Sequence, residues 1–278
     1  MPILTFVTPA PQKDFDLWIK RSYPDIAIDN RDVIDDYAVR WAIPQPLDKQ
    51  VIDTIRTEFN IDVFQTTNSP NYKLFLADMD STIVMGETLD DMAKLAGIGD
   101  QVAKITERAM RGELNFEQAL AQRVSMLEGM PSSLIDQALD SLELNKGAET
   151  LLMHLKSKDI YCVLISGGFS QFTSCVASQL GFDDHFGNEL VINDKKLNGT
   201  VKFPILDKKF KAQKLKKLKA SMKITDHQTI AIGDGANDLP MLQEAGLGIA
   251  YHGKPLLRDQ LINRVDVGDL SSLIYAIE

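Results

Sequence analysis

The chain has 278 residues, 44% of them hydrophobic and 25% charged, with a formal net charge of −9. That length suits one substantial domain with a smaller partner, and the composition is ordinary for a globular protein, with no collagen-like, disordered or repeat bias. Net acidity argues against a general affinity for nucleic acid or an anionic membrane, and no stretch nears the roughly 20 apolar residues of a membrane span.

The opening "MPILTFVTPAPQKDFDLW" has no cationic leader and is interrupted by Pro9 and Pro11, so it does not read as a signal peptide. "ILTFV", "DYAVRWAI" and "IDVFQTT" predict strands, and "LDKQVIDTIRTEF" predicts a helix with Ile52, Ile55 and Phe59 on one face. Residues 1–70 are therefore expected to form a small α+β domain. The turn-rich "TNSPNY", Thr67 to Tyr72, would link it to a second domain, residues 71–278.

From Lys73 onward the apolar runs "KLFLAD", "IYCVLIS", "TIAIGD" and "LGIAY" alternate with helical patterns, which predicts an α/β fold with a Rossmann-like parallel sheet. The runs are continuous rather than alternating, as expected when helices cover both faces of a sheet. "LDDMAKLAG", "DQVAKITERAMRG", "NFEQALAQRVSMLEG" and "PSSLIDQALDSL", punctuated by Gly97, Gly112 and Gly129, predict a helical cap over about 86–146, inserted after the first strand. Such a cap would sit over the carboxyl ends of the strands, where open α/β sheets bind ligands. The two cysteines, Cys162 in a strand pattern and Cys175 in a helical one, are expected to be buried thiols in a reducing cytoplasm.

Chemistry concentrates where the apolar runs end. Asp78 and Asp80, two residues apart, would project to the same side as "LFLADMD" leaves the sheet. Two close carboxylates stay ionised together only if a cation or strong hydrogen bonds compensate, and Mg²⁺ is a natural cation for oxygen ligands. A lone pair of this kind equally serves as turn or helix-capping residues. "AIGDGANDLPML" ends a second strand at Asp234, which completes a metal site with Asp78 if the two strands are neighbours. Asn237 and Asp238 follow, Asp238 either capping the next helix or orienting a neighbour. "LISGGFSQF" ends a third strand at Ser166, and its Gly167 and Gly168 would let the backbone approach an anion, although S-G-G alone is usually a turn. The seven lysines from Lys208 to Lys219 read as the solvated face of a helix with Phe210, Leu215 and Leu218 on its apolar side.

Together these residues resemble the haloacid dehalogenase superfamily of phosphotransferases and, within it, the phosphoserine phosphatases. The likeness spans roughly Tyr72 to Pro255: "DMDST", "SGG", Lys211 and "GDGANDLPML" look like the four superfamily motifs, and "ERAMRGELNFEQALAQRV" and "AGLGIAYHGKP" are similar to phosphoserine phosphatases. The resemblance implies that Asp78 is the nucleophile and Asp80 the proton donor and later base. Mg²⁺ would be held by Asp78, Asp234 and the backbone carbonyl of Asp80. Ser166, Gly167, Lys211 and Asn237 would bind the phosphoryl group, and Glu87 and Arg123 the ammonium and carboxylate of phosphoserine, with Met110 and Phe116 as a lid. Taken singly, Glu87 and Arg123 are ordinary solvated helix charges, and Met110 and Phe116 ordinary core.

The resemblance implies a cytoplasmic enzyme that hydrolyses O-phosphoserine in the last step of serine biosynthesis. The alternatives are another small-molecule phosphatase of the superfamily, a phosphoserine:homoserine phosphotransferase, or a ligand-sensing protein on a retired enzyme fold. Residues 1–70 are compatible with a degenerate ACT-type domain, through which some members of the family form a homodimer. Two departures stand out: Asn145–Lys146 before Gly147, where relatives often show Met-Pro, and a more polar "MGETLDDMA". Both touch the cap rather than the catalytic positions.

Overall fold

Every apolar run read above as a strand is one in the computed structural model, which describes residues 1–67 and 71–278 apart from the side chains of Met110 and Lys208. The N-terminal part holds β1 (Pro2–Val7), α1 (Phe15–Ser22), β2 (Asn30–Val33), β3 (Ala38–Ala42), α2 (Lys49–Phe59) and β4 (Asp62–Thr67). Residues 68–70 of the expected linker lie outside the described residues. Next come β5 (Leu74–Ala77) and the cap helices α3 (Thr88–Leu95), α4 (Gly99–Met110), α5 (Phe116–Ser125) and α6 (Ser133–Asp140). The chain continues through α7 (Ala148–Ser157), β6 (Tyr161–Phe169), α8 (Ser170–Leu180), β7 (Asp184–Asn188), a hairpin of β8 (Leu190–Asn193) and β9 (Lys196–Val201), and α9 (Lys208–Met222). It ends with β10 (Thr229–Gly233), α10 (Leu239–Glu244), β11 (Leu247–Tyr251), α11 (Pro255–Gln260), β12 (Arg264–Val265) and α12 (Ser272–Ile277).

The order β12-β11-β10-β5-β6-β7 is parallel throughout, as continuous apolar strands require. β2, β3, β1 and β4 pair antiparallel, and β4 lies against β12 with Val63 opposite Arg264, so one ten-stranded sheet runs through both parts. Phe6, Trp41, Ile52 and Ile55 centre an apolar cluster of the N-terminal part, separate from the cluster that joins the parallel sheet to the cap. At the seam the buried Asp62 carboxylate accepts the backbone N–H groups of Asp266, Val267 and Gly268 at 2.7, 3.1 and 2.9 Å.

Three expectations need correction. Cys162 is buried, but Cys175 is exposed on α8, because the strand supplies two covered faces and the helix only one. β6 does not stop at Ser166; it runs on to Phe169, where Phe169 pairs with Asn188 after a break in register. The lysine-rich helix is not solvated all along its polar side: Lys211 and Lys219 are buried, and Lys219 Nζ lies 2.6 Å from both Asp226 and Glu244.

Register places the site. Ala77 stands opposite Ile232 on one side and Leu164 on the other, so Asp78, Asp234 and Ser166 lie together just past the paired ends of β5 with its two neighbours. The departure at Asn145 has a structural reason: its side-chain amide donates to the carbonyls of Thr82 and Val84 at 2.8 and 3.1 Å, tying the cap's exit to its entrance.

Candidate active site

Asp78 emerges from β5 with Oδ1 accepting the Met79 N–H at 2.8 Å and facing Lys211 Nζ at 2.7 Å. Its Oδ2 has no hydrogen-bonding partner among the described residues. Lys211 arrives from the first turn of α9, which Asp207 caps by accepting the N–H groups of Lys209 and Phe210. The ammonium also meets Asp238 Oδ1 at 2.6 Å. Burial opposes the charge on Lys211, but Asp238 and Asp78 outweigh it and hold the ammonium above its ordinary value.

Asp238 stands at the N-cap position of α10 without capping it; besides Lys211, it accepts the Gly235 N–H through Oδ2 at 3.0 Å. Of the two readings open for this residue, orienting a neighbour is the one the contacts match. Oxygens of Asp78, Asp234 and Asp238, all buried, lie within 4.8 Å of one another. Hard carboxylate donors at this spacing fit a small divalent cation. Asp234 also meets Lys254 Nζ at 3.0 Å; burial raises its carboxyl pKa while Lys254 opposes the shift.

The Asp80 side chain turns from this cluster toward the cap. Oδ1 accepts the N–H of Thr88, the first residue of α3, at 2.8 Å, and Oδ2 accepts from Ser166 Oγ at 2.8 Å. Burial, then the charge of Asp78, raises the Asp80 pKa and favours the protonated acid. Gly168 closes in here: a Cβ on it would stand 2.9 Å from Asp80 Oδ2 and 3.1 Å from Ser166 Oγ, so only glycine leaves both groups room.

A cavity of about 200 Å³ lies between the strand ends and the cap. Asp78, Asp80, Ser166, Gly167, Asp234 and Asn237 line its floor; Glu87, Phe116 and Arg123 line its roof. Partial desolvation beneath the cap, then the charge of Asp80, pushes the Glu87 carboxyl up to about 7. The Arg123 guanidinium has its nearest carboxylate, Asp90, at 4.0 Å; burial pulls its pKa down, with Asp90 and Glu87 opposing. The roof thus offers one acid and one base not paired with each other. The side chain of Met110 lies outside the described residues. Lys211 lies beneath Asp78 rather than in the cavity lining.

Thr88, Lys254 and Asn188 belong to the site or its frame and carry no motif that singled them out. Lys254 stood within "AYHGKP", a segment already similar to relatives, and that was the available signal.

Residues 72–246 match the haloacid dehalogenase-like hydrolase family. A phosphoserine phosphatase of Archaeoglobus fulgidus is 43% identical over 187 residues, covering 67% of this chain and 54% of that protein. One of Streptococcus thermophilus is 42% identical over 205 residues, covering 74% of this chain and 95% of that protein. The chain thus spans about half the length of the first relative and nearly all of the second. A haloacid dehalogenase family hydrolase of Salmonella enterica superposes with a TM-score of 0.91 at 29% identity, over 100% of this chain and 98% of the other. A structure described as the phospho-aspartyl intermediate analogue of phosphoserine phosphatase superposes with a TM-score of 0.70 at 38% identity, over 74% of this chain and 99% of the other. A fold, a strand-end carboxylate set and relatives at this identity converge: the chain belongs to the haloacid dehalogenase-like hydrolases, in the phosphoserine phosphatase family.

Proposed function

We propose that the chain hydrolyses O-phosphoserine to serine and phosphate through a covalent intermediate on Asp78. The observation that carries this reading is the pairing of a strand-end nucleophile, backed by a buried ammonium, with a roof that holds a separate acid and base. A carboxylate nucleophile divides one difficult hydrolysis into two easier displacements. Asp78 Oδ2 attacks phosphorus and the bond to the serine oxygen breaks, while Asp80 gives that oxygen its proton. Asp80 then takes a proton from water as the water oxygen attacks phosphorus, and the bond to Asp78 breaks. The hydrogen bonds from Thr88 and Ser166 support this role by holding Asp80 in place, and its raised pKa supplies the acid needed first.

Ser166, Gly167, Lys211 and Asn237 are assigned to the phosphoryl oxygens, Lys211 through the charge it places behind Asp78. Arg123 is assigned to the substrate carboxylate and Glu87 to its ammonium, with Phe116 shielding the cavity. Phosphomonoester hydrolysis calls for rate enhancements of up to about 10²¹, or about 28 kcal/mol, so these groups must act together. Asp78, Asp234 and the Asp80 carbonyl, with Asp238 beside them, would hold Mg²⁺, which when bound supplies positive charge to the phosphoryl group. We divide the chain at about residue 70, on the support of the separate apolar cluster of the N-terminal part, and place the enzyme in the cytoplasm on its two unpaired thiols.

Phosphate release from a panel of phosphomonoesters, with EDTA and with Mg²⁺ restored, tests the reading. Phosphoserine should turn over far faster than phosphothreonine or glycerol phosphate, and EDTA should abolish the activity reversibly. Equal rates across the panel would remove the substrate assignment, and formation of phosphohomoserine on adding homoserine would favour phosphotransfer.

A further inference from the structure

Asn188, at the end of β7, is 2% exposed and both ends of its amide are engaged. Nδ2 donates to the Gly167 carbonyl at 2.7 Å, and Oδ1 accepts the Leu206 N–H at 2.8 Å. These partners belong to different parts of the site. Gly167 follows Ser166 at the cavity floor, whereas Leu206 directly precedes Asp207, the cap of the helix that carries Lys211.

The Gly167 carbonyl shares its peptide plane with the Gly168 N–H, which donates to Ser166 Oγ at 2.7 Å. That plane is therefore gripped on both edges, by Asn188 at the oxygen and by Ser166 at the nitrogen. Because Ser166 Oγ accepts from Gly168, its own proton is directed to Asp80 Oδ2 at 2.8 Å. The result is one directed chain: Leu206 N–H to Asn188, Asn188 to Gly167, Gly168 to Ser166, and Ser166 to Asp80. A one-residue tilt at the glycine pair would turn the Ser166 hydroxyl and move the Gly167 backbone at once, and two glycines have no side chains of their own to resist it.

We propose that Asn188 is a positioning residue for the phosphoryl site, locking the Gly167–Gly168 peptide and fastening it to the loop that launches the Lys211 helix. It touches no reacting atom. Its amide suits the task because one donor and one acceptor are needed at opposite ends, a pairing that neither aspartate nor leucine supplies. The proposal rests on the reading of Ser166 and Gly167 as phosphoryl-binding groups. It separates the two ends of the substrate, since the chain runs through the phosphate end and leaves Glu87 and Arg123 untouched.

The test uses the full-length enzyme with Mg²⁺, comparing Asn188→Asp and the uncharged Asn188→Ser with wild type, each at a temperature where circular dichroism shows it folded. Wild-type hydrolysis of phosphoserine checks the functional reading on its own; the variants then report only on Asn188. We expect kcat to fall at least about tenfold and inhibition by inorganic phosphate to weaken about tenfold, while inhibition by serine stays within about twofold, as loss of charge-directed hydrogen bonding at one end of the site requires. Asn188→Ser serves as the measurement if the aspartate variant does not fold. The proposal is overturned if the folded variants keep wild-type kcat and phosphate inhibition with only a lower Tm, or if phosphate and serine inhibition weaken equally.

Discussion

At the scale of single residues, the site divides one charge problem among several solutions. Asp78 faces a buried ammonium, Asp80 is pushed toward its acid form by burial and by Asp78, and Glu87 is raised to about 7. Glu87 makes the sharpest prediction, because an ammonium binds its carboxylate and not its acid. Its folded-state pKa lies above the ordinary value of a glutamate, so the carboxylate is half formed near pH 7, nearly complete by about pH 8, and lost as pH falls below. Inhibition by serine, whose own charges do not change over this range, should therefore weaken about tenfold between pH 8 and pH 6. Glu87→Gln should bind serine weakly at every pH. A wild-type profile that is flat between about pH 6 and 8 would remove Glu87 from ammonium recognition.

At the scale of elements, what could be read from sequence follows burial. β5, β6, β10 and β11 are covered on both faces and show as apolar runs; β2 is exposed throughout and β7 half-buried, so neither carries a pattern that distinguishes it from a loop. The carboxylates Asp78 and Asp234 were legible because each ends an apolar run. Asn188 was not, since its importance comes from a carbonyl and an N–H that only the fold brings to it. Asp62 is the same kind of residue at the junction of β4 with the loop after β12, where it satisfies three backbone N–H groups. Asp62→Ala would leave those donors unpaired and should cost about 3 kcal/mol of stability, measured by denaturant unfolding. A change under about 0.5 kcal/mol would mean that water replaces the carboxylate at no cost.

At the scale of the whole molecule, the cap and the sheet make a two-sided chamber. The sheet edge gathers carboxylates around a buried ammonium; the cap brings one acid and one base, Glu87 and Arg123. The family resemblance made the parallel sheet with its inserted helical cap readable in advance. It did not anticipate that the N-terminal part would continue the same sheet, because a pairing as short as that of Val63 with Arg264 leaves no trace in hydrophobic pattern. No helix among the described residues is long and apolar enough to cross a membrane. The central claim is covalent, and one measurement meets it directly. Wild-type enzyme mixed with phosphate-labelled phosphoserine and quenched in acid within milliseconds should carry label that hydroxylamine releases, as an acyl phosphate does. The label should map to Asp78 and be absent from Asp78→Asn, whose turnover should fall by about 10⁴-fold or more. Label on another residue, or an Asp78→Asn enzyme that still turns over at a substantial rate, would contradict the account.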